Sequence, residues 1–201
     1  TILAAVSVGA LIPFFLHNVF GKTSKMFIGD GGTLVMGVVI TVFVIETLRS
    51  GSSCGAYVEP RVGLVPFSLA VLCIPVFDTL RVMFSRILRG VSPFRPDKTH
   101  LHHMFINLGC SHAAVTLAIV ALNTSVVLCW WGLTRLGVSI DMQLYAVVVM
   151  GFLVTFGLYH FMEWHLRRNT SFLRAVRRLG YRTHVSRRGV FLRMQHFLDR
   201  L

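Results

Sequence analysis

Five long stretches without a charged side chain constrain this chain more than any other feature of its sequence. They fill residues 1–21, 31–45, 62–77, 113–134 and 142–162. The last two are long enough to cross about 30 Å of hydrocarbon as helices, and the charges beside the shorter ones can reach the interface. Hydrophobic residues make up 54% of the chain, so a soluble core is disfavoured. We predict an all-α, polytopic integral membrane bundle with about five transmembrane helices.

Cations are distributed unequally between the connections of these predicted spans. Residues 22–30, 79–112 and 163–201 hold seventeen Lys and Arg, whereas residues 46–61 and 135–141 hold three. Because an excess of Lys and Arg marks cytoplasmic loops, we predict that the first group of segments, which includes the C-terminus, faces the cytoplasm.

A basic tail follows the last apolar stretch, so we divide the chain into a transmembrane domain, 1–162, and a tail, 163–201. Apolar residues recur at helical spacing over 190–201 and again over 171–179. This pattern predicts amphipathic helices that lie against anionic lipids. No nucleic-acid-binding motif accompanies the arginines, so we expect no nucleic-acid partner.

The first polar segment, Lys25 to Thr33, interrupts the apolar runs with glycines around an acid. Gly29 and Gly31 would let backbone amides approach phosphate oxygens, and Asp30 at the membrane edge would suit Mg²⁺. The alternative is a glycine turn in which Asp30 caps the helix that follows. The sequence leaves both interpretations open.

The second polar segment, residues 92–103, concentrates imidazoles and cations that could bind an anion. They are His100, His102, His103, Arg95 and Lys98. The three histidines cannot share one face of a regular element, so two are expected to converge while the third caps or packs. The alternatives are a zinc site and a solvated basic loop; zinc is disfavoured because Asp97 is the only carboxylate close by in the sequence.

Asp78 stands at the cytoplasmic end of the third predicted span. An acid at that depth is a candidate for function, and pairing with Arg81 one helical turn later is the simpler explanation.

Two motifs resemble those of the polyprenyl-phosphate N-acetylhexosamine-1-phosphate transferases. Phe27-Ile-Gly-Asp-Gly-Gly-Thr33 is similar to the Phe-x-Gly-Asp-x-Gly-Ser signature of that family. Pro75-x-x-Asp78, with Ser92-Pro-Phe-Arg-Pro-Asp-Lys-Thr-His-Leu-His-His103, resembles its His-x-His-His loop. The pattern is closer to the WecA/TagO-type branch than to the MraY branch. The resemblance implies transfer of a sugar-1-phosphate from a UDP-sugar to undecaprenyl phosphate in the bacterial inner membrane, with release of UMP.

The resemblance also implies roles for individual residues. Asp30 would ligate Mg²⁺, with Mn²⁺ as an alternative, and Phe27 would lie where the family packs the uracil ring. His100, His102 and His103 would contact the phosphates of the nucleotide sugar. The remaining predicted substrate-binding residues are Gly29, Gly31, Asp78, Arg95, Asp97 and Lys98.

One departure from the family concerns its aspartate pair and its Asn-x-x-Asp-Gly-x-Asp loop, which are absent from these 201 residues. In the family both precede the Gly-Asp motif, so we expect this chain to be the C-terminal half of the enzyme and inactive alone. A transporter, an anionic-lipid-binding module and a non-catalytic paralogue are alternatives. The identity of the N-acetylhexosamine and the presence of a homodimer are left open.

Overall fold

The computed structural model describes residues 2–20, 28–53, 62–94, 99–168 and 190–199, together with residues 170–171, 174–176 and 178. Within these residues the structure is helical and contains no strand, which confirms the predicted all-α class. The helices are α1 (Ile2–Phe20), α2 (Gly29–Ser53), α3 (Leu64–Val71), α4 (Cys73–Leu88), α5 (Leu101–Asn107), α6 (His112–Arg135), α7 (Ile140–Phe152), α8 (Leu158–Arg168) and α9 (Val190–Leu198). A π-helical turn, Leu153–Gly157, joins α7 to α8.

Three of the described helical segments are long and apolar enough to cross a membrane. They are Gly31–Arg49, Ala114–Arg135 and Ile140–Arg168. The pair α3 and α4 would make a fourth span with a 70° bend, and Ile2–Asn18 is a shorter apolar helix. The chain is therefore an integral membrane protein by its apolar helices, while the predicted count of five spans is not confirmed.

The chain forms two compact units. One comprises residues 1–46 and 182–201, and the other comprises residues 47–181. In the first unit α9 packs against α1, and α9 lies where the apolar spacing predicts an amphipathic helix. The domain boundary near residue 163 stays a prediction.

The core of the second unit lies where α3, α4, α6 and α7 meet. Its buried side chains are Ala70, Cys73, Phe77, Val126, Trp130 and Val147. Gly151 makes the approach of α4 to α7 possible, because a Cβ atom there would lie 2.4 Å from Cδ2 of Phe77. This close contact fixes the turn of α4 that comes directly before Asp78.

The third span differs from the prediction in its length and shape. We expected it to end at Phe77, but α4 continues to Leu88 through two arginines, Arg81 and Arg86. Both are buried: Arg81 pairs with Asp78, and Arg86 donates to the carbonyl oxygen of Pro93, so the helix can continue beyond the apolar run with both guanidinium groups hydrogen-bonded.

Candidate active site

A buried ion pair on α4 organises the candidate site. Asp78 and Arg81 are 7% and 2% exposed, and they lie one helical turn apart. Arg81 donates to Oδ1 of Asp78 from Nε at 3.1 Å and from Nη2 at 2.7 Å. A buried pair of this kind is stable only when its remaining donors and acceptors are also satisfied.

The remaining groups of the pair hold the start of α5. Nη2 of Arg81 also donates to the carbonyl oxygen of Thr99 at 2.7 Å. The backbone N–H of Leu101 donates to Oδ2 of Asp78 at 3.2 Å, and Nδ1 of His100 lies 3.0 Å from the same oxygen. Two side chains from one turn of α4 therefore fix three consecutive residues that lie 18 to 23 positions later in the sequence.

This arrangement fixes the orientation of the His100 ring. An ionised carboxylate only accepts hydrogen bonds, so Nδ1 of His100 carries the proton directed at Asp78. Nε2 then points away from the carboxylate, and no partner for it is found in the described part of the chain. Carboxylate–histidine pairs in other proteins orient an imidazole in this way so that its second nitrogen can act on a ligand.

The three histidines form a row at the start of α5. The ring centroids of His100 and His102 are 5.8 Å apart with nearly parallel planes, and those of His102 and His103 are 4.1 Å apart. His100 is the N-cap residue of α5 and is held by Asp78. Its side chain makes no capping hydrogen bond within α5 and contacts Asp78 on α4 instead, while the rings of His102 and His103 are adjacent.

The surroundings of His102 in this row disfavour its charged form. Partial burial lowers the pKa of His102, and the neighbouring His103 and His100 lower it further, although part of its ring remains exposed. The cause is that a charged imidazole loses water and meets like charges. An anion beside the row would oppose both effects and favour protonation.

Two histidines of the row, His100 and His102, border a cavity of about 240 Å³ that is lined by polar and apolar side chains. Its lining residues are Ile74, Pro75, Asp78, Thr79, His100, Leu101, His102 and Ile119. Because α4, α5 and α6 all contribute, the cavity depends on how these helices pack.

Apolar packing supports α5 from behind. Met104, Leu108 and Met162 form a buried cluster, against which Val176 from the tail also packs. On α8, the ring of Tyr159 lies 4.1 Å from the guanidinium carbon of Arg81. Sequence reasoning missed Tyr159, because no local pattern connects it with an arginine 78 positions earlier.

The last residues of the first polar segment belong to α2. The helix starts at Gly29, whose φ of +67° suits glycine. Gly31 and the backbone of Asp30 therefore lie in the first turn, where the helix dipole favours a carboxylate. The side chain of Asp30 lies outside the described atoms.

Several predicted site residues lie outside the described residues. They are Phe27, Arg95, Asp97 and Lys98. The structure brings together Asp78, His100, His102 and His103 within the second unit. The cation distribution puts both polar segments on the same predicted side of the membrane, where together they would form a site for an anion; this stays a prediction.

Several curated proteins that share one name are similar to this chain over most of its length. The chain is 26% identical over 181 residues to the undecaprenyl-phosphate alpha-N-acetylglucosaminyl 1-phosphate transferase of Pasteurella multocida. It is 28% identical over 177 residues to the protein of that name from Haemophilus influenzae, and 25% over 176 residues to that from Escherichia coli K12. The resemblance to this transferase family is confirmed.

The similarity covers 85–87% of this chain but 44–46% of the relatives, so the chain spans about half the length of the curated relatives it matches. No family model matches the chain. No solved structure matches it either.

The transferase resemblance raises the question of a metal. Among the residues whose positions are described, no three His, Cys, Asp or Glu side chains are arranged to hold a metal ion, so the zinc alternative gains no support. The carboxylate of Asp78 is already engaged by Arg81, His100 and Leu101. Its geometry favours holding His100 over binding a cation or a substrate directly.

Proposed function

We propose that the complete protein transfers N-acetylglucosamine-1-phosphate from UDP-N-acetylglucosamine to undecaprenyl phosphate and releases UMP. The names of the curated relatives supply the reaction class. The observation that carries the proposal is the row of three imidazoles, oriented by a buried Asp–Arg pair, beside a cavity in an integral membrane protein. Such a row suits an anionic headgroup or a pyrophosphate at the membrane edge.

Transfer of a phosphoryl group depends on positioning and on neutralising charge. In the proposed reaction, His102 and His103 donate hydrogen bonds to the phosphates of the nucleotide sugar. His100 presents Nε2 to the same group, because Nδ1 is held by Asp78. Arg95 and Lys98, next in the sequence, would extend the cationic surface.

Asp30 is the residue proposed to bind Mg²⁺ or Mn²⁺. When bound, the ion would neutralise charge on the donor pyrophosphate. The described side chains do not by themselves form its site, so the roles given above to the histidines are independent of it.

We further propose that the site and the C-terminus face the cytoplasm of a bacterial inner membrane. The cation asymmetry of the connections supports this orientation. UDP-sugars are cytoplasmic, so the orientation and the proposed donor require each other.

The test is UMP release from UDP-N-acetylglucosamine by the complete protein with undecaprenyl phosphate as acceptor. His102→Gln and His103→Gln should each lower turnover by about 100–1,000-fold, as for the loss of a donor to developing charge. Asp30→Asn should abolish the metal-dependent rate, because an amide lacks the charge that holds a hard cation.

His160→Gln is the matched control, because His160 is an exposed histidine on α8 whose near neighbour is Glu163. Normal turnover of both histidine variants would contradict the proposed role of the row. Binding of UDP-N-acetylglucosamine without any UMP release by the complete protein would favour the binding-module alternative.

A further inference from the structure

The bend between α3 and α4 is held by a side chain from another helix. The two helices meet at Leu72, whose φ of −98° and ψ of 13° are not helical, and their axes differ by 70°. Nδ2 of Asn123 on α6 donates to the carbonyl oxygen of Val71 at 2.8 Å. Oδ1 of the same side chain accepts from the backbone N–H of Ile74 at 3.0 Å.

The sequence explains why this bend needs an external partner. In a continuous helix the carbonyl of Val71 would accept from residue 75, but Pro75 has no N–H. At a bend of this kind the N–H of Ile74 also needs an acceptor. Within a membrane each unpaired backbone group is costly, and Asn123 satisfies one donor and one acceptor at once.

The bend also determines where the candidate site residues lie. Pro75 and Asp78 line the cavity from the first turns of α4, and Ile119, one turn before Asn123 on α6, lines it from the other side. Asp78 is six residues beyond Leu72, or about 9 Å along a helix. A change of about 7° in the bend would therefore move Asp78 by about 1 Å, by the same helix geometry.

We propose that Asn123 is a positioning residue that holds the 70° bend and thereby places Asp78 and His100 at the cavity. It acts through backbone groups of α3 and α4. The part of this proposal that concerns turnover rests on the proposed function, whereas the part that concerns the bend does not.

The decisive experiment compares Asn123→Leu with the double variant Asn123→Leu/Pro75→Ala in the complete protein. The single variant leaves the carbonyl of Val71 and the N–H of Ile74 without partners. We expect its melting temperature in detergent to fall by about 4–8 °C and its turnover to fall by about 100-fold.

In the double variant, residue 75 regains an N–H and the helix can straighten. We expect the melting temperature to recover while the turnover stays low, since a straight helix no longer presents Asp78 to the cavity. If Asn123 had only a structural role, the double variant would recover both its melting temperature and its turnover. Ser125→Ala is the control, because in the described part of the chain the hydroxyl of Ser125 donates to the carbonyl oxygen of Leu122 in its own helix and to no other helix.

The bend can be measured without any assay of activity. Nitroxide labels at the exposed Val65 and Ile87, in a background without the native cysteines, would report the distance across it. Helix geometry with a 70° bend gives about 28 Å, and a straight helix gives about 33 Å. Pulsed electron paramagnetic resonance should show the longer distance in the double variant.

An unchanged distance in the double variant would overturn the proposal, and so would normal turnover in either variant. If the wild-type complete protein released no UMP, the proposed function would fail, and the distance measurement would still decide whether Asn123 holds the bend.

Discussion

Replacing Asp78 by Asn tests the organisation of the candidate site with the smallest possible change of shape. The amide keeps one acceptor, but its NH₂ group must face donors of Arg81 or His100. Arg81 is 2% exposed, so its charge would remain buried without a counter-charge. Breaking a buried ion pair in this way costs about 3–5 kcal/mol, and we expect the free energy of unfolding to decrease by that amount.

The functional consequence follows from the orientation of His100. Without the carboxylate, Nδ1 loses the partner that directs Nε2, and the N–H of Leu101 loses a charged acceptor. Loss of such an orienting partner typically lowers activity by about 10–100-fold. We expect kcat to fall more than KM rises, because the imidazole acts on charge that develops during transfer.

The measurements are unfolding in detergent and UMP release by the complete protein at a temperature where both proteins are folded. Asp141→Asn provides the same chemical change at an exposed position in the first turn of α7. That control should cost about 0.3–1 kcal/mol through the helix dipole. If Asp78→Asn lowered the free energy of unfolding by no more than the control does and left kcat unchanged, the inferred role of the ion pair would be wrong.

Two further predictions concern packing and pH. Gly151→Ala should lower the free energy of unfolding by about 1–3 kcal/mol, because its Cβ would meet the ring of Phe77. The control in thermal unfolding is Gly132→Ala, whose Cβ would meet nothing within 4 Å. Equal melting temperatures for the two variants would contradict the close contact at Gly151. Because the pKa of His102 is lowered from its ordinary 6.5, the unfolded state binds more protons just below that pH, so stability should decrease as pH falls through that window. His102→Gln should weaken this dependence, and an identical pH profile for wild type and variant would show that His102 does not cause it.

The sequence predicts the elements of this fold better than it predicts their shape. Hydropathy identifies the segments around α2, α6 and α7 because a long uncharged run has few alternatives to a membrane helix. It places the end of the third span at Phe77, since it cannot show that Arg81 will be neutralised within the bundle. Pro75 signals a break, but the partner that holds the bend is Asn123, 48 positions later in the sequence.

The candidate site, too, can be predicted from the sequence only in part. The density of histidines in residues 92–103 marks the site, and the spacing of Asp78 and Arg81 predicts their pairing. The connection between the two segments is not visible in the sequence, because the hydrogen bond of Asp78 to His100 joins residues 22 positions apart across a loop. Periodicity describes one helix at a time, whereas this contact depends on how two helices pack.

The burial of Asp78 and Arg81 links the stability of the bundle to the geometry of the site. An ion pair in this position offers little net stability over an apolar pair of similar volume, so stability alone does not account for its presence. Its oxygens and nitrogens, however, are shared with Thr99, His100 and Leu101. An apolar pair could fill the same volume, but it could neither orient an imidazole nor hold the backbone at the start of α5. The ion pair therefore serves chiefly to hold the histidine row in its position beside the cavity.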